Sequence, residues 1–518
     1  MPKQKTDDLI QLIKSLTRAE KRHFRLFVKR NQASNDILFL QLFDFLDKHK
    51  EYDEQLILKK LPGIKKRQLS NLKAHLYKQL LMSLRLLNRN THQDMQLREQ
   101  IDYALVLYDK GLYRQSLDVL SKAKKKAMEL QRHRQAMEII AVEKKIEGQY
   151  ITRSIENRAD ELTRQANKVA QYVTSNNQLT NLALQMYGLY LKVGYVRDEK
   201  NYYLVREYFN ARVPNVDVNQ LDFFGKINYH RSYLWYYQIT QNFSQCYRHA
   251  QTWIDHFHES EHLISDNMSL YLKGLHNLMN ANFNTWQYSK LKENLEVLES
   301  IPSKYGILQS TNVEGLFYLY KYIHNIKRHF MEGTFTEGLQ LVPELVNIID
   351  EDRYNWDHHR VMVFYYRIAC LYFSSGDNDK AIDYLNLILN QKNPDYRADI
   401  QAFARILSLI SHYEMGNMQL VEYQVKSVYR FLAKMEDLGM VQKEIFRFIR
   451  KIPRIRPSDT KKEFVHLKNK LEKVRNHPYE KRPFLYLDII SWLESKIEDR
   501  NVEEVIRAKF LEGHVPLQ

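Results

Sequence analysis

The chain has 518 residues, too many for one ordinary compact core, so it must divide or repeat. With only 15 Gly and 11 Pro it argues against β-sandwiches, dinucleotide-binding α/β folds and long disordered linkers. The net charge of +16 sits in the flanks: residues 1–95 carry 20 Lys and Arg against 10 Asp and Glu, residues 441–485 carry 14 against 5, and residues 96–440 are balanced.

The first segment predicts a compact helical domain over residues 1–95. Leu9, Ile10, Leu12, Ile13 and Leu16 recur at helical spacing. Thr17 with Glu20 three residues on forms a capping box for a helix carrying Phe24, Leu26, Phe27 and Val28. Ser34-Asn35-Asp36 opens another helix, with Leu38, Phe39, Leu42, Phe43 and Leu46 on its face. A short helix from Asp53 to Leu61 is broken by Pro62-Gly63 and followed by a long one from Lys65 to Leu87, with Asn88-Arg89-Asn90-Thr91 as its exit. This hairpin, residues 53–80, has a helix-turn-helix outline. Lys65, Lys66 and Arg67 open its second helix, and Lys73 lies a little further on, as candidate nucleic-acid contacts. Ile64, Leu69, Leu72 and Leu76 are expected to face inward. Exposed Lys and Arg on helices are also commonly plain solvated surface.

From residue 96 to 440 a pattern recurs: an apolar helix, a Gly break, an aromatic two residues later, a small residue five later, then a second apolar helix. The first copy is Gly111, Tyr113 and Ser116, followed by Leu117, Leu120, Ala123 and Ala127. Others are Gly333, Phe335 and Gly338; Gly376 and Ala381; and Gly416 with Val421 in the small-residue place. Gln241-Asn242-Phe243 with Cys246 is a degenerate copy. The break closes a helical hairpin, and the small residue lets the two helices approach. No pair buries its apolar face alone, so pairs stack. The Gly-x-Tyr-x-x-small junction resembles the tetratricopeptide repeat, best over residues 103–130 and 365–390. That resemblance implies a partner protein or peptide held on a concave wall of first helices. The breaks Gly333, Gly376 and Gly416 lie 43 and 40 residues apart, more than the family's ~34. The helices are therefore longer than standard or the repeats divergent.

Residues 441–518 read as a basic linker and capping helices. Ile452-Pro453-Arg454-Ile455-Arg456-Pro457 is the linker signal, and Asn476-His477-Pro478-Tyr479 and Arg482-Pro483 interrupt again. Phe484, Leu485, Leu487, Ile489, Ile490, Trp492 and Leu493 mark a last apolar helix. Arg447, Arg450, Lys451, Arg454, Arg456, Lys461 and Lys462 add a second basic surface.

His258-Glu259-Ser260-Glu261-His262 matches the H-E-x-x-H pattern of zinc peptidases. A charged residue inside the motif and the lack of a third ligand favour a polar turn between helices. No phosphate-cradling loop and no nucleophile elbow occurs, so the expectation is no enzyme, no cofactor and no metal. Cys246 and Cys370 read as small buried residues. No leader and no membrane helix is apparent, which makes the cytoplasm the expected compartment. The reading is an all-α protein: an α-solenoid of stacked antiparallel helix hairpins with an N-terminal helical domain and a C-terminal helical cap. It would serve as a non-catalytic scaffold for protein–protein interaction. The rival is a nucleic-acid-associated regulator that uses residues 1–95, with the repeats sensing or dimerising.

Overall fold

The computed structural model describes residues 8–30, 36–49, 52–89, 92–149, 157–306, 310–391, 398–434, 440–451, 455–475, 477, 479 and 488–513. The expected helix start at Ser34-Asn35, the exit at Asn90-Thr91, the linker residues Ile452 to Arg454, and Asn476, Pro478, Arg482-Pro483 and Phe484 to Leu487 lie outside them. Among the described residues every regular element is a helix. None of these helices is long and apolar enough to cross a membrane. The chain divides into two compact units, residues 1–170 and 171–518.

The first unit holds α1 (Asp8–Ser15), α2 (Arg18–Arg30), α3 (Asp36–Lys48), α4 (Glu54–Lys60), α5 (Lys66–Asn88), α6 (Gln93–Asp109), α7 (Tyr113–Glu129) and α8 (His133–Glu147). A long helix, α9 (Arg158–Val193), begins in it. The capping box forms as the sequence predicts: Thr17 N–H donates to Glu20 Oε2 at 2.7 Å and Glu20 N–H to Thr17 Oγ1 at 3.2 Å. Asp53 caps α4 by accepting from Leu56 N–H. Residues from Leu9 to Leu80 close a core of their own, with Phe24 between Phe39 and Phe43, and Ile64, Leu69 and Leu76 inside it. Leu26, on the same helix as Phe24, is half exposed. It lies about 200° around α2 from Phe24, on the solvent side.

The second unit holds α10 (Glu199–Asn210), α11 (Phe223–Ile239), α12 (Phe243–Glu259), α13 (Met268–Asn284), α14 (Tyr288–Tyr305), α15 (Thr311–Glu332), α16 (Phe335–Gly338), α17 (Val342–Asp350), α18 (His358–Ser375), α19 (Asn378–Leu389), α20 (Ala398–Glu414) and α21 (Met418–Lys434). It ends with α22 (Met440–Lys451), α23 (Pro457–Arg475), α24 (Ile489–Glu498) and α25 (Val502–Leu511). Consecutive helices pack on each other, and the first helices of successive hairpins also touch: α13 on α15, α15 on α18, and α18 on α20.

One junction closes these hairpins in both units. A residue with positive φ follows the first helix: Gly111, Gln131, Gln241, Trp286, Gly333, Gly376 or Gly416. The next N–H returns to the carbonyl five residues back, as in Leu112 to Leu107 and Gln287 to Asn282, at 2.7 to 3.2 Å. That bond satisfies a carbonyl the helix end would leave bare. Five residues after the turn residue the chain is buried every time: Ser116, Ala136, Cys246, Leu291, Gly338, Ala381 and Val421. Ser116 Oγ donates to the Ala104 carbonyl at 2.7 Å, and Cys246 Sγ approaches the Leu234 carbonyl at 3.8 Å. In both cases the second helix lies close against the first. Gln131 and Trp286 perform the same turn without glycine, and a glycine-based reading of the sequence passes over them.

Candidate ligand site on the first helices

In the second unit the first helices α11, α13, α15 and α18 line a cavity of about 540 Å³, joined by Tyr187 and Tyr190 of α9 and Trp253 of α12. The lining residues fall at fixed distances before each turn residue. Counting back 3, 6 and 10 positions from Gln241 gives Gln238, Trp235 and Arg231. Counting back 3, 6, 10 and 13 from Trp286 gives Phe283, Asn280, His276 and Lys273. From Gly333 the same steps give Phe330, Lys327, Ile323 and Tyr320, and from Gly376 the last two give Tyr366 and Val363. These steps trace one face of a helix, so equivalent faces of successive hairpins share the wall.

Five cationic side chains line the cavity, Arg231, Lys273, Lys327, Arg360 and Arg367, and no Asp or Glu does. Lys327 is buried and donates from Nζ to Asn280 Oδ1 at 2.6 Å. Asn280 Nδ2 meets His276 Nε2 at 2.9 Å, and His276 Nδ1 meets His324 Nε2 at 3.0 Å. Since the Asn280 amide oxygen accepts from Lys327 and its NH2 can only donate, the chain of bonds has one direction. Asn280 donates to His276 Nε2, and the His276 proton sits on Nδ1 and goes to His324 Nε2. The proton of His324 is then on Nδ1, which is buried without a partner. Burial, then Lys327, Arg367 and Arg360, hold His276 well below the usual imidazole range. Burial, His276, Lys327 and Arg367 do the same to His324. Burial and Arg367 push Lys327 well below the usual ammonium range. Desolvation also lowers Arg231, and desolvation followed by Arg231 and Arg360 lowers Lys273.

An aromatic shelf stands at one side. Trp235 packs on Tyr187 and Tyr190 at centroid distances of 4.9 and 5.3 Å, and Tyr190 meets Tyr195 edge-on at 5.6 Å. Gln238 Nε2 donates to the Tyr195 hydroxyl at 2.8 Å. His276 stacks on Tyr320 at 4.1 Å. The arrangement offers positive charge, amide groups and π faces.

The residues singled out from sequence lie elsewhere. Gly111, Gly333, Gly376 and Gly416 are the positive-φ turn residues, and Ser116, Gly338 and Ala381 are the buried close-approach positions. Of the aromatics two residues on, Phe335 is buried and Tyr113 packs on Tyr108 at 5.7 Å. Lys65, Lys66 and Arg67 are exposed around the start of α5, whereas Lys73 lies over the Tyr52 ring at 4.1 Å. Arg447, Arg450, Lys451, Arg456, Lys461 and Lys462 are exposed, and Arg454 lies outside the described residues. The H-E-x-x-H pattern does not form one helical face. α12 ends at Glu259, and Glu261 to Leu263 is a separate short 3₁₀ turn. His258 Nε2 meets the Tyr271 hydroxyl at 3.2 Å. Among the described residues no group of three His, Cys, Asp or Glu could hold a metal ion. Cys246 and Cys370 are both buried, and neither is in a disulfide.

Comparison with known protein families, with curated proteins and with solved structures finds no match.

Proposed function

We propose that this chain is a non-catalytic helical-repeat scaffold, tetratricopeptide-like in its hairpin junctions, that receives a segment of a partner protein on the wall of its first helices. The stacked antiparallel hairpins would form an α-solenoid, with residues 441–518 as its cap. The observation that carries the reading is the shared lining of one cavity by equivalent faces of successive first helices. A wall of that kind suits an extended peptide, because each repeat offers a similar set of side chains one step along. Two buried cysteines outside any disulfide fit a cytoplasmic setting.

The test is retention of a random octapeptide library on the immobilised full chain. Peptides should be retained by the wild type and released by Asn277→Trp, which fills the cavity from the lining of α13. Retention no greater than on blank support ends the proposal.

The nucleic-acid reading keeps one supporting observation, the exposure of Lys65, Lys66 and Arg67 together around the start of α5. It predicts salt-sensitive binding of random duplex DNA or single-stranded RNA by the full chain. Changing all three residues to Gln should abolish that binding. Equal binding by both proteins removes its mechanism.

A further inference from the structure

We propose that the Lys327 amine is a nucleophile that captures an aldehyde as a Schiff base, with a flat aromatic body of that aldehyde lying on the rings of the cavity. Such capture does not depend on peptide binding, and either can fail alone.

Lysines that this chain half buries elsewhere keep a carboxylate beside them. Lys124 meets Glu143 at 2.6 Å and Lys468 meets Glu494 at 2.8 Å. Lys327 stands differently. Among the described residues it is the one buried lysine, 9% exposed, and it lines the cavity. Its Nζ donates to the neutral Asn280 amide oxygen at 2.6 Å and lies over the Phe283 ring at 4.5 Å. The ring face favours an ammonium, but it replaces only part of the hydration lost on burial. The charged groups that share the lining are Arg231 from α11, Lys273 from α13, and Arg360 and Arg367 from α18, with no Asp or Glu. Asp357, the exposed carboxylate paired with Arg360 at 3.2 Å, stands outside it. The two imidazoles that feel the Lys327 charge, His276 and His324, are themselves held uncharged by burial. Burial and then Arg367 therefore push Lys327 well below the usual ammonium range. An amine that has lost its extra proton carries a lone pair. One N–H stays on Asn280 and positions the nitrogen. Lysines desolvated beside another cation are those that attack carbonyl carbons.

The step balances without an oxidant or a reductant. The nitrogen lone pair bonds to the carbonyl carbon and the π pair moves onto the oxygen, toward the positive charge that Arg367 adds to the lining. The two amine protons then leave with that oxygen as one water, and a C=N bond remains. The cavity suits a flat body on the aldehyde. Phe283 lies at the amine, and Trp235 packs on Tyr187 and Tyr190 at 4.9 and 5.3 Å. About 540 Å³ falls within the roughly 300–1,000 Å³ of pockets that enclose a small ligand.

The experiment treats the full chain with 2-naphthaldehyde and sodium cyanoborohydride, which delivers hydride to the imine carbon and fixes the adduct. Peptide mass mapping then follows labelling at each lysine with time. Lys273 lines the same cavity and is exposed, so accessibility alone would label it first. Lys327 should instead be labelled about tenfold or more faster than Lys273 at neutral pH. Its rate should change little between about pH 7 and 9, while exposed Lys65 and Lys66 gain about tenfold per pH unit. Asn277→Trp, checked for an unchanged circular dichroism spectrum and melting temperature, should slow Lys327 and leave Lys65 and Lys66 unmoved. Labelling of Lys327 no faster than Lys273, or a Lys327 rate that climbs with pH like theirs, overturns the proposal. Labelling of Lys327 by formaldehyde but not by 2-naphthaldehyde overturns its aromatic part, and unchanged labelling in Asn277→Trp overturns the route through the cavity.

Discussion

Gly333 is the junction where glycine is required twice, and its replacement by Ala separates two costs. Its φ of +63° is left-handed, as at Gly376 (+95°), Gly416 (+74°) and Gly111 (+73°). An alanine there costs about 1 kcal/mol for the conformation alone. At Gly111, Gly376 and Gly416 an added Cβ meets nothing within 4 Å. At Gly333 it would lie 2.5 Å from the Arg507 nitrogen, 2.9 Å from Arg507 Cα and 2.9 Å from the Ile506 carbonyl carbon. These are backbone atoms of α25, so no rotamer change relieves the clash, and the helix must retreat by about 1 Å to restore ordinary contact. Three bonds tie α25 at that place: Thr336 N–H to Glu503 Oε1 at 3.0 Å, Thr336 Oγ1 to Glu503 Oε2 at 2.6 Å, and Arg507 Nη1 to the Glu332 carbonyl at 3.1 Å. With each bond worth about 0.5–1 kcal/mol net, Gly333→Ala should cost about 3 kcal/mol and Gly376→Ala about 1. Equilibrium urea unfolding followed by circular dichroism measures both. In a chain lacking residues 502–518 the excess at Gly333 should vanish, leaving the two substitutions equal. Equal costs in the full chain would refute the assigned role of α25.

Further substitutions test the same reasoning elsewhere. Ser116 is fully buried and bonded to the Ala104 carbonyl, so Ser116→Leu should overpack the α6–α7 contact and cost about 2–3 kcal/mol in a thermal or urea melt. Trp492 is 1% exposed and donates to Glu414 at 2.7 Å; Trp492→Ala should cost about 3–5 kcal/mol by the same melt. Gln131 holds a left-handed φ of 58° with a Cβ attached, so Gln131→Gly should leave stability unchanged or raise it by up to about 1 kcal/mol. His324, fully buried, has its folded pKa well below 6.5, so the unfolded chain takes up the proton first. Its contribution is intact above pH ~6.5 and falls by up to about 1.4 kcal/mol per pH unit below it. His324→Gln should flatten the wild-type stability curve between about pH 6 and 5 by that amount, and parallel curves would contradict the burial argument.

The helices were legible because their signals are local. The Thr17–Glu20 box, the Asp53 cap and the Pro62-Gly63 break depend on residues three or four apart, and the structure reproduces each. The glycine junctions were legible for a related reason: only glycine adopts the left-handed turn without strain, so it marks the place. That rule also explains what was missed. Trp286 and Gln131 turn left-handed with side chains attached, held by the same backbone closure. Trp286 stacks on Phe283 at 6.3 Å, and Gln241 donates to the Val196 carbonyl at 2.8 Å. A glycine search sees gaps where the structure has regular hairpins. With those positions restored, the turn residues from Gln241 to Gly416 are separated by 45, 47, 43 and 40 residues.

The candidate site was hidden by cancellation. Along the sequence, residues 96–440 sum to zero charge, so only the flanks stand out as basic. A sum along the chain discards direction. Helical periodicity sends Arg231, Lys273, Lys327, Arg360 and Arg367 to one lining, while carboxylates on the same helices, such as Glu332 and Glu314, stand outside it. The signal that recovers three of these five cations is position relative to the turn: Arg231 lies 10 residues before Gln241, Lys273 13 before Trp286 and Lys327 6 before Gly333. Those offsets can be read only after the non-glycine turns are recognised. In this chain, therefore, recognising the repeat and finding the site are one problem, and the left-handed Trp286 stands between the sequence and both.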